Sequence, residues 1–236
     1  MRIAVISDIH GNMESLSVLK EPYDELWVLG DLVNYGPDPG AVVDFVRSHA
    51  TVVVQGNHDH AVGFNEDPHC SPPYREMAKE TMEFTRSVLC REQIEYLASL
   101  PLVVERIVED TKFVLCHAAP SDPLYKYVPA NSPQWEQEME LVSADFLLVG
   151  HTHTPFVQAA GGSLVVNPGS LGQPKTGANK ACYAIREKGI VLESADYDIE
   201  RTLGKIDRMP VSIRVREDLK AVLRSGGQLR IGTRNP

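Results

Sequence analysis

Apolar residues fall in short blocks along the chain. Ile3–Ile6 is apolar throughout, and so are residues 26–29 and 52–54. Runs of this length, bounded by polar or turn residues, predict strands buried on both faces. After the first run, Asn12 stands as an N-cap, with Leu16 and Leu19 on one helical face, which predicts a helix through about Lys20. After the second, Asp38-Pro39 pairs an N-cap with proline at the first helical position. Val42, Phe45, Val46 and Ala50 follow at helical spacing. The order β-α-β-α-β with short links predicts parallel strands joined by right-handed crossovers.

Residues 60–100 break the alternation. Pro68, Pro72 and Pro73 mark a loop, and helical stretches are expected over about 74–89 and 91–100. Strands resume at 102–104 and 113–116, a loop rich in Pro, Ser and Tyr spans 118–133, and 146–149 is a further strand. Two hairpins follow, 156–160 with 163–166 around Gly161-Gly162, and 181–186 with 190–194 through Lys188-Gly189. Weak helical patterning from residue 199 is interrupted at Pro210, and the last ten residues are expected to be mobile. The pattern predicts one α/β domain over 1–198, with 60–100 as a helical insertion, and a helical extension and tail over 199–236.

Composition and charge narrow the field. The chain has 236 residues, 43% hydrophobic, enough for a sizeable core. A net charge of −9 argues against a general nucleic-acid binder. The charge is uneven: residues 201–236 carry nine Lys/Arg against three Asp/Glu, leaving −15 on the rest. A basic segment lying against an acidic body, or solvated, is the simplest reading; a contact for an anionic substrate or partner is the sharper one. Cys70, Cys90, Cys116 and Cys182 form no CxxC pair and suggest reduced thiols in a cytoplasmic protein. The opening MRIAVISDIHGN is not a signal peptide, and no run approaches the roughly 18 apolar residues that span a bilayer.

The residues that follow each strand carry the chemistry. The first strand gives Asp8 and His10, the second Asp31, the third Asn57, His58 and Asp59. The strand ending at Cys116 gives His117, and that ending at Val149 gives His151 and His153. In an open α/β sheet the carboxyl edge is where ligands sit, so these ends should converge. Carboxylates, an amide oxygen and imidazoles without thiolate suit Mn, Fe, Zn, Ni or Co better than Ca or Mg. Asp8-x-His10 and His151-x-His153, read as extended chain, each direct two side chains to one side. The set is too large for one tetrahedral ion, and two ions roughly 3.5–4 Å apart would use it. His49, His60 and His69 read as structural or exposed.

The ordered series D8-x-H10, G30-D31, G56-N57-H58-D59, H117 and G150-H151-x-H153 resembles the calcineurin-like metallophosphoesterase superfamily over about residues 1–195. NPGSLGQP at 167–174 and GDLVNYGPDP resemble its small bacterial and archaeal branch. The resemblance implies a four-layer αββα sandwich with two mixed β-sheets. It implies Asp8, His10 and His153 on one divalent metal, Asn57, His117 and His151 on the other, and Asp31 between them. His58 would stabilise or protonate the leaving group, and Asp59 would orient its ring. The implied activity is hydrolysis of a small phosphodiester or phosphomonoester by in-line attack of a metal-bound hydroxide.

One departure bears on substrate. Relatives that are protein phosphatases or dinucleoside tetraphosphate hydrolases carry an arginine where Tyr35 stands here. Losing that bidentate phosphate clamp favours a diester over a doubly charged terminal phosphate. Arg75, Arg91 or Lys126 are the candidates for a replacement cation. Asn12 and Tyr35 are candidate substrate contacts, and Tyr74, Tyr125, Tyr127 and Trp135 candidate stacking or packing residues. Residues 60–80 and 118–133 are the expected specificity elements, and Asn167 and Ser170 belong to a structural turn. The alternatives are a nucleotide or dinucleoside polyphosphate hydrolase, a protein phosphatase-like enzyme, or a non-catalytic scaffold. The expected partner is a small phosphate ester, with neither nucleic acid nor membrane; the oligomeric state is left open.

Overall fold

Alternation within the apolar runs decides the layers. A computed structural model describes residues 1–227; most of the tail expected to be mobile therefore lies outside the described residues. In β1 (Ile3–Ile6) the side chains of Ile3 and Val5 face one way, and those of Ala4 and Ile6 the other. Ile3 and Val5 join Trp27, Phe113, Leu115 and Val166 in a core between two sheets. Ala4 and Ile6 join Val42, Val46 and Leu97 under helices. Both faces are apolar because both are covered, and each large side chain so buried contributes about 1.5–3 kcal/mol.

The first sheet adds β2 (Glu25–Val28), β3 (Val52–Val53), β9 (Ala181–Arg186) and β10 (Ile190–Ala195), in the order β10-β9-β1-β2-β3. β1, β2 and β3 are parallel, and β9 and β10 are antiparallel additions. The second sheet holds β4 (Val103–Val108), β5 (Thr111–Cys116), β6 (Phe146–Leu148), β7 (Phe156–Ala160) and β8 (Ser163–Asn167), in the order β4-β5-β6-β8-β7. Its three central strands are parallel and its two edges antiparallel. Helices α1 (Pro39–His49) and α4 (Arg91–Ser99) cover the first sheet, and α5 (Gln134–Glu140) covers the second through Trp135 and Met139. The result is an α/β sandwich of two mixed five-stranded sheets between helical layers.

Several local expectations change. The helix expected after Asn12 is a 3-10 helix over Met13–Val18, with Asn12 Oδ1 accepting from the Ser15 amide at 3.3 Å. The strand expected at 102–104 runs on to Val108 and pairs with β5 around Glu109-Asp110. The insertion begins with α2 (Asn57–Phe64), which takes in the GNHD residues, and continues as α3 (Arg75–Val88) and α4. After β10, α6 (Ile199–Ile206) and α7 (Ile213–Ser225) pack on α3 and on Tyr35. The basic segment meets acidic partners: Lys205 pairs with Glu14 at 2.6 Å and Asp38 at 2.7 Å, and Arg214 with Glu76 at 2.9 Å. Among the described residues no helix is long and apolar enough to cross a membrane.

Candidate functional site

Five strand ends and the start of α2 converge at one edge of the sandwich. The reading of Asp8-x-His10 and His151-x-His153 as extended chain is not what the structure shows. Asp8 (φ 53°), His10 (φ 48°), His151 (φ 62°) and His153 (φ 59°) are all left-handed, as is Asp31 (φ 55°). The chain turns sharply as it leaves each strand, and Asp, Asn and His are the side chains that best tolerate such turns after glycine. The two sheets touch here as well. A Cβ at Gly150 would collide with the Ser7 hydroxyl and Asp8 Oδ2, so only glycine fits. Ser170 Oγ donates to Asp8 O at 2.7 Å, and Asn167 Nδ2 to Gly150 O at 2.6 Å, so the NPGS turn fixes both loops.

The ligand atoms of Asp8, His10, Asp31 and His153 lie within 4.8 Å of one another, a group that can hold a metal ion. Beside it, His117 Nε2 is 3.1 Å from Asn57 Oδ1 and His151 Nδ1 is 3.2 Å from the same oxygen. Asp31 Oδ2 stands between the two groups, 3.7 Å from His10 Nε2 and 3.3 Å from His117 Nε2.

Backbone carbonyls set the tautomers. His10 Nδ1 donates to Val33 O (3.0 Å), His153 Nδ1 to Gln173 O (2.6 Å) and His117 Nδ1 to Leu29 O (2.7 Å). A carbonyl only accepts, so each Nδ1 carries a proton, and wherever the ring is neutral its Nε2 lone pair turns inward. Burial drives His10 down to about 3, and burial with Lys175 lowers His153, so both rings are neutral. Their Nε2 atoms nevertheless face each other at 3.1 Å. Asp8 Oδ1, 3.2 Å from His153 Nε2, is buried without a hydrogen-bond donor. Acceptors point at acceptors, an arrangement that a cation resolves. Burial opposes charge on His117, but the Asp31 carboxylate outweighs it and lifts His117 to about 9.

His58 sits over this cluster, its ring 5.1 Å from that of His10 and 4.8 Å from that of Tyr35. The expectation that Asp59 orients His58 is corrected. Asp59 accepts from the backbone N–H groups of Asp31 (2.8 Å), Leu32 (2.8 Å) and Gly56 (3.1 Å), holding the loop that carries Asp31. The ring is held instead by Asn34 Nδ2 at 2.9 Å from Nδ1 and Cys70 Sγ at 3.4 Å from Nε2. Asn34 Nδ2 suits the neutral ring as donor; turned end for end, the amide offers an imidazolium its otherwise unpartnered Oδ1. Burial disfavours the charged ring, yet Cys70 and Asp31 outweigh it and raise His58 to about 9. Asn34 lies inside the GDLVNYG stretch, whereas nothing in the sequence marked Cys70.

A cleft of about 260 Å³ opens from the cluster, lined in part by Tyr35, Tyr74, Tyr125, Tyr127 and Lys175. His69, expected to be bland, is also in its wall, 4.9 Å from the Tyr125 ring. Asn12 does not line this cleft; its amide bonds with Gly172 O, Tyr197 Oη, Ser15 N and Thr202 Oγ1. Trp135 is buried under the second sheet, donating to Pro129 O at 3.1 Å. None of the three cations expected to replace the arginine lines the cleft. Lys126 pairs with Glu138 at 2.7 Å and Arg91 with Glu95 at 2.6 Å, while Arg75 lines a separate groove. The cation in the wall is Lys175, directly after the NPGSLGQP stretch.

The chain is 33% identical over 234 residues to the uncharacterized protein MJ0912 of Methanocaldococcus jannaschii, covering 88% of this chain and 93% of the relative. It is 23% identical over 209 residues to phosphodiesterase YfcE of Escherichia coli K12, covering 81% and 90%. The structure of a metallophosphoesterase from Sphaerobacter thermophilus superposes with a TM-score of 0.82 at 27% identity, over 96% of this chain and 99% of that one. The model of the calcineurin-like phosphoesterase superfamily domain matches residues 1–188, and the chain belongs to that superfamily of metal-dependent phosphoric ester hydrolases.

Proposed function

We propose that the protein is a dinuclear metal-dependent phosphoesterase whose substrate is a small phosphodiester. Asp8, His10 and His153 hold one divalent cation, Asn57, His117 and His151 a second, and Asp31 lies between. The single observation that carries this reading is the pair of unprotonated Nε2 atoms of His10 and His153 facing each other at 3.1 Å beside the donorless Asp8 Oδ1. Mn, Fe, Zn, Ni or Co suits nitrogen and carboxylate donors without thiolate. When bound, such cations neutralise phosphoryl oxygens and make a water acidic enough to supply hydroxide near neutral pH.

The chain's own residues supply the remainder. His58, held by Asn34, Cys70 and the Tyr35 ring, gives a proton to the departing ester oxygen, a contribution of about 10²–10⁴-fold. Asp59 fixes the Asp31 loop, so the Asp31 carboxylate stays aimed between the two groups of candidate ligands. Tyr35 occupies space beside His10 and His58 without adding charge. A cleft that offers, among the described residues, one lysine and no arginine suits the single charge of a diester better than the double charge of a monoester.

The test is turnover of bis-p-nitrophenyl phosphate and p-nitrophenyl phosphate by Mn²⁺-loaded protein, with bound metal quantified. The expected result is two equivalents of metal and faster turnover of the diester. Two equivalents bound with no turnover of either ester would remove the reading. Faster turnover of the monoester would keep the hydrolase and overturn the diester assignment.

A further inference from the structure

Resting on the phosphoesterase reading, we infer that Lys175 is the phosphoryl-oxygen clamp of the cleft, and that Tyr74 and the end of α7 hold it in place. A phosphate ester at the cluster brings negative charge into a cleft whose lining, among the described residues, includes Lys175 and no other lysine or arginine. Its Nζ makes no hydrogen bond or ion pair among the described residues; its one partner is the Tyr74 ring, with Nζ 5.1 Å from the centroid. Lys126 and Lys205, by contrast, are each paired with a carboxylate. An ammonium in the wall of a substrate cleft with no acceptor in contact has its donors available for an anion.

The position of Lys175 is tied to the cluster. His153 Nδ1 donates to Gln173 O at 2.6 Å, and Lys175 N donates to His153 O at 3.3 Å. The strap that carries the lysine is thus hydrogen-bonded on both sides to one candidate ligand. Its outer side rests on the C-terminal extension. Gly177 N donates to Gly226 O at 3.0 Å, and Tyr74 Oη donates to Gly227 O at 3.0 Å. Gly227 (φ +104°) lies so close that a Cβ there would meet the Lys175 Cα and side chain. The extension therefore backs both the lysine and the ring beneath it. Its described residues act on the cleft through packing and place no charged side chain of their own in the lining.

Lys175 is a substrate-contacting residue in this account, and Tyr74 a positioning residue. A charge-assisted hydrogen bond to a phosphate oxygen converts to about a tenfold to hundredfold change in affinity. The experiment titrates inorganic phosphate into Mn²⁺-loaded protein by calorimetry, for wild type, Lys175→Met, Lys175→Arg, Tyr74→Leu and Lys175→Met/Tyr74→Leu, with metal content measured for each. Lys175→Met is expected to weaken phosphate about tenfold to a hundredfold at unchanged metal content, and Lys175→Arg to restore most of it. Tyr74→Leu is expected to weaken phosphate less, and to add nothing in the Lys175→Met background, since it acts through the lysine. With bis-p-nitrophenyl phosphate, Lys175→Met is expected to raise KM more than it lowers kcat.

Equal phosphate affinity in wild type and Lys175→Met overturns the clamp, and so does a metal-loaded wild type that binds no phosphate. An additive loss in the double variant overturns the role given to Tyr74. If wild type binds phosphate through Lys175 yet hydrolyses no ester, the clamp stands and the hydrolase reading falls.

Discussion

Five candidate ligands, Asp8, His10, Asp31, His151 and His153, share a left-handed backbone that costs most side chains of order 1–3 kcal/mol. The letters were legible because Asp, Asn and His both coordinate metals and tolerate that backbone; the geometry was not, because i, i+2 spacing says nothing about a turn between. His58 was legible as a histidine inside GNHD, but its partners Asn34 and Cys70 were not, since proximity across a fold leaves no mark on spacing. His58 gives a pH prediction. Burial works against its charge, but Cys70 and Asp31 raise it to about 9 in the metal-free chain, above the ordinary histidine value of about 6.5. A raised histidine lends stability that is complete below about 6.5 and is lost as pH climbs through about 9. NMR titration of metal-free protein is expected to show His58 protonating near 9, and diamagnetic Zn²⁺ is expected to lower that value by cancelling the pull of Asp31. A midpoint at or below 6.5 without metal would contradict the assigned environment. His58→Asn is expected to keep its metal and lose about 10²–10⁴-fold in kcat; unchanged kcat would remove its role.

Among the elements, the two C-terminal hairpins were readable from turn glycines at Gly161-Gly162 and Gly189. The β4–β5 hairpin was not, because Glu109 (φ 50°) and Asp110 (φ 62°) make its two-residue turn without glycine or asparagine. The packing of α6 and α7 on Tyr35 was equally hidden, since their apolar faces name no partner. Asn12 caps the 3-10 helix as its position predicts, and it also knots the first loop to Gly172, Tyr197 and Thr202, which the sequence did not signal. The contact between sheets at Gly150 yields a test. Gly150→Ala sets a methyl against Ser7 and Asp8, and overpacking of this kind costs about 1–3 kcal/mol. The urea midpoint is expected to fall by the corresponding amount and metal affinity with it. A variant as stable and as metal-avid as wild type would show that the loops can part at no cost.

At the scale of the whole molecule, the candidate ligands come from both sheets. Asp8, Asp31 and Asn57 follow β1, β2 and β3, whereas His117 and His151 follow β5 and β6. Cations held by both would bind the folded chain alone and so stabilise it, by about 2.7 kcal/mol at a hundredfold excess over Kd. For a chain of this size that is a rise in Tm of about 5–11 °C. Thermal scans with and without chelator are expected to differ by this much, and coincident curves would contradict metals shared between the sheets.

The second sheet is also one uninterrupted stretch, placed between β3 and β9, and Ile3 of β1 pairs with Arg186 of β9. During synthesis, β1 therefore waits for nearly the whole chain before its antiparallel neighbour exists. Contacts this distant in sequence form slowly, because a long loop must first be closed. By then every candidate ligand has already been made. A nascent chain thus carries all its candidate ligands well before it has the frame that spaces them, and that frame is complete only once β9 and β10 have closed against β1.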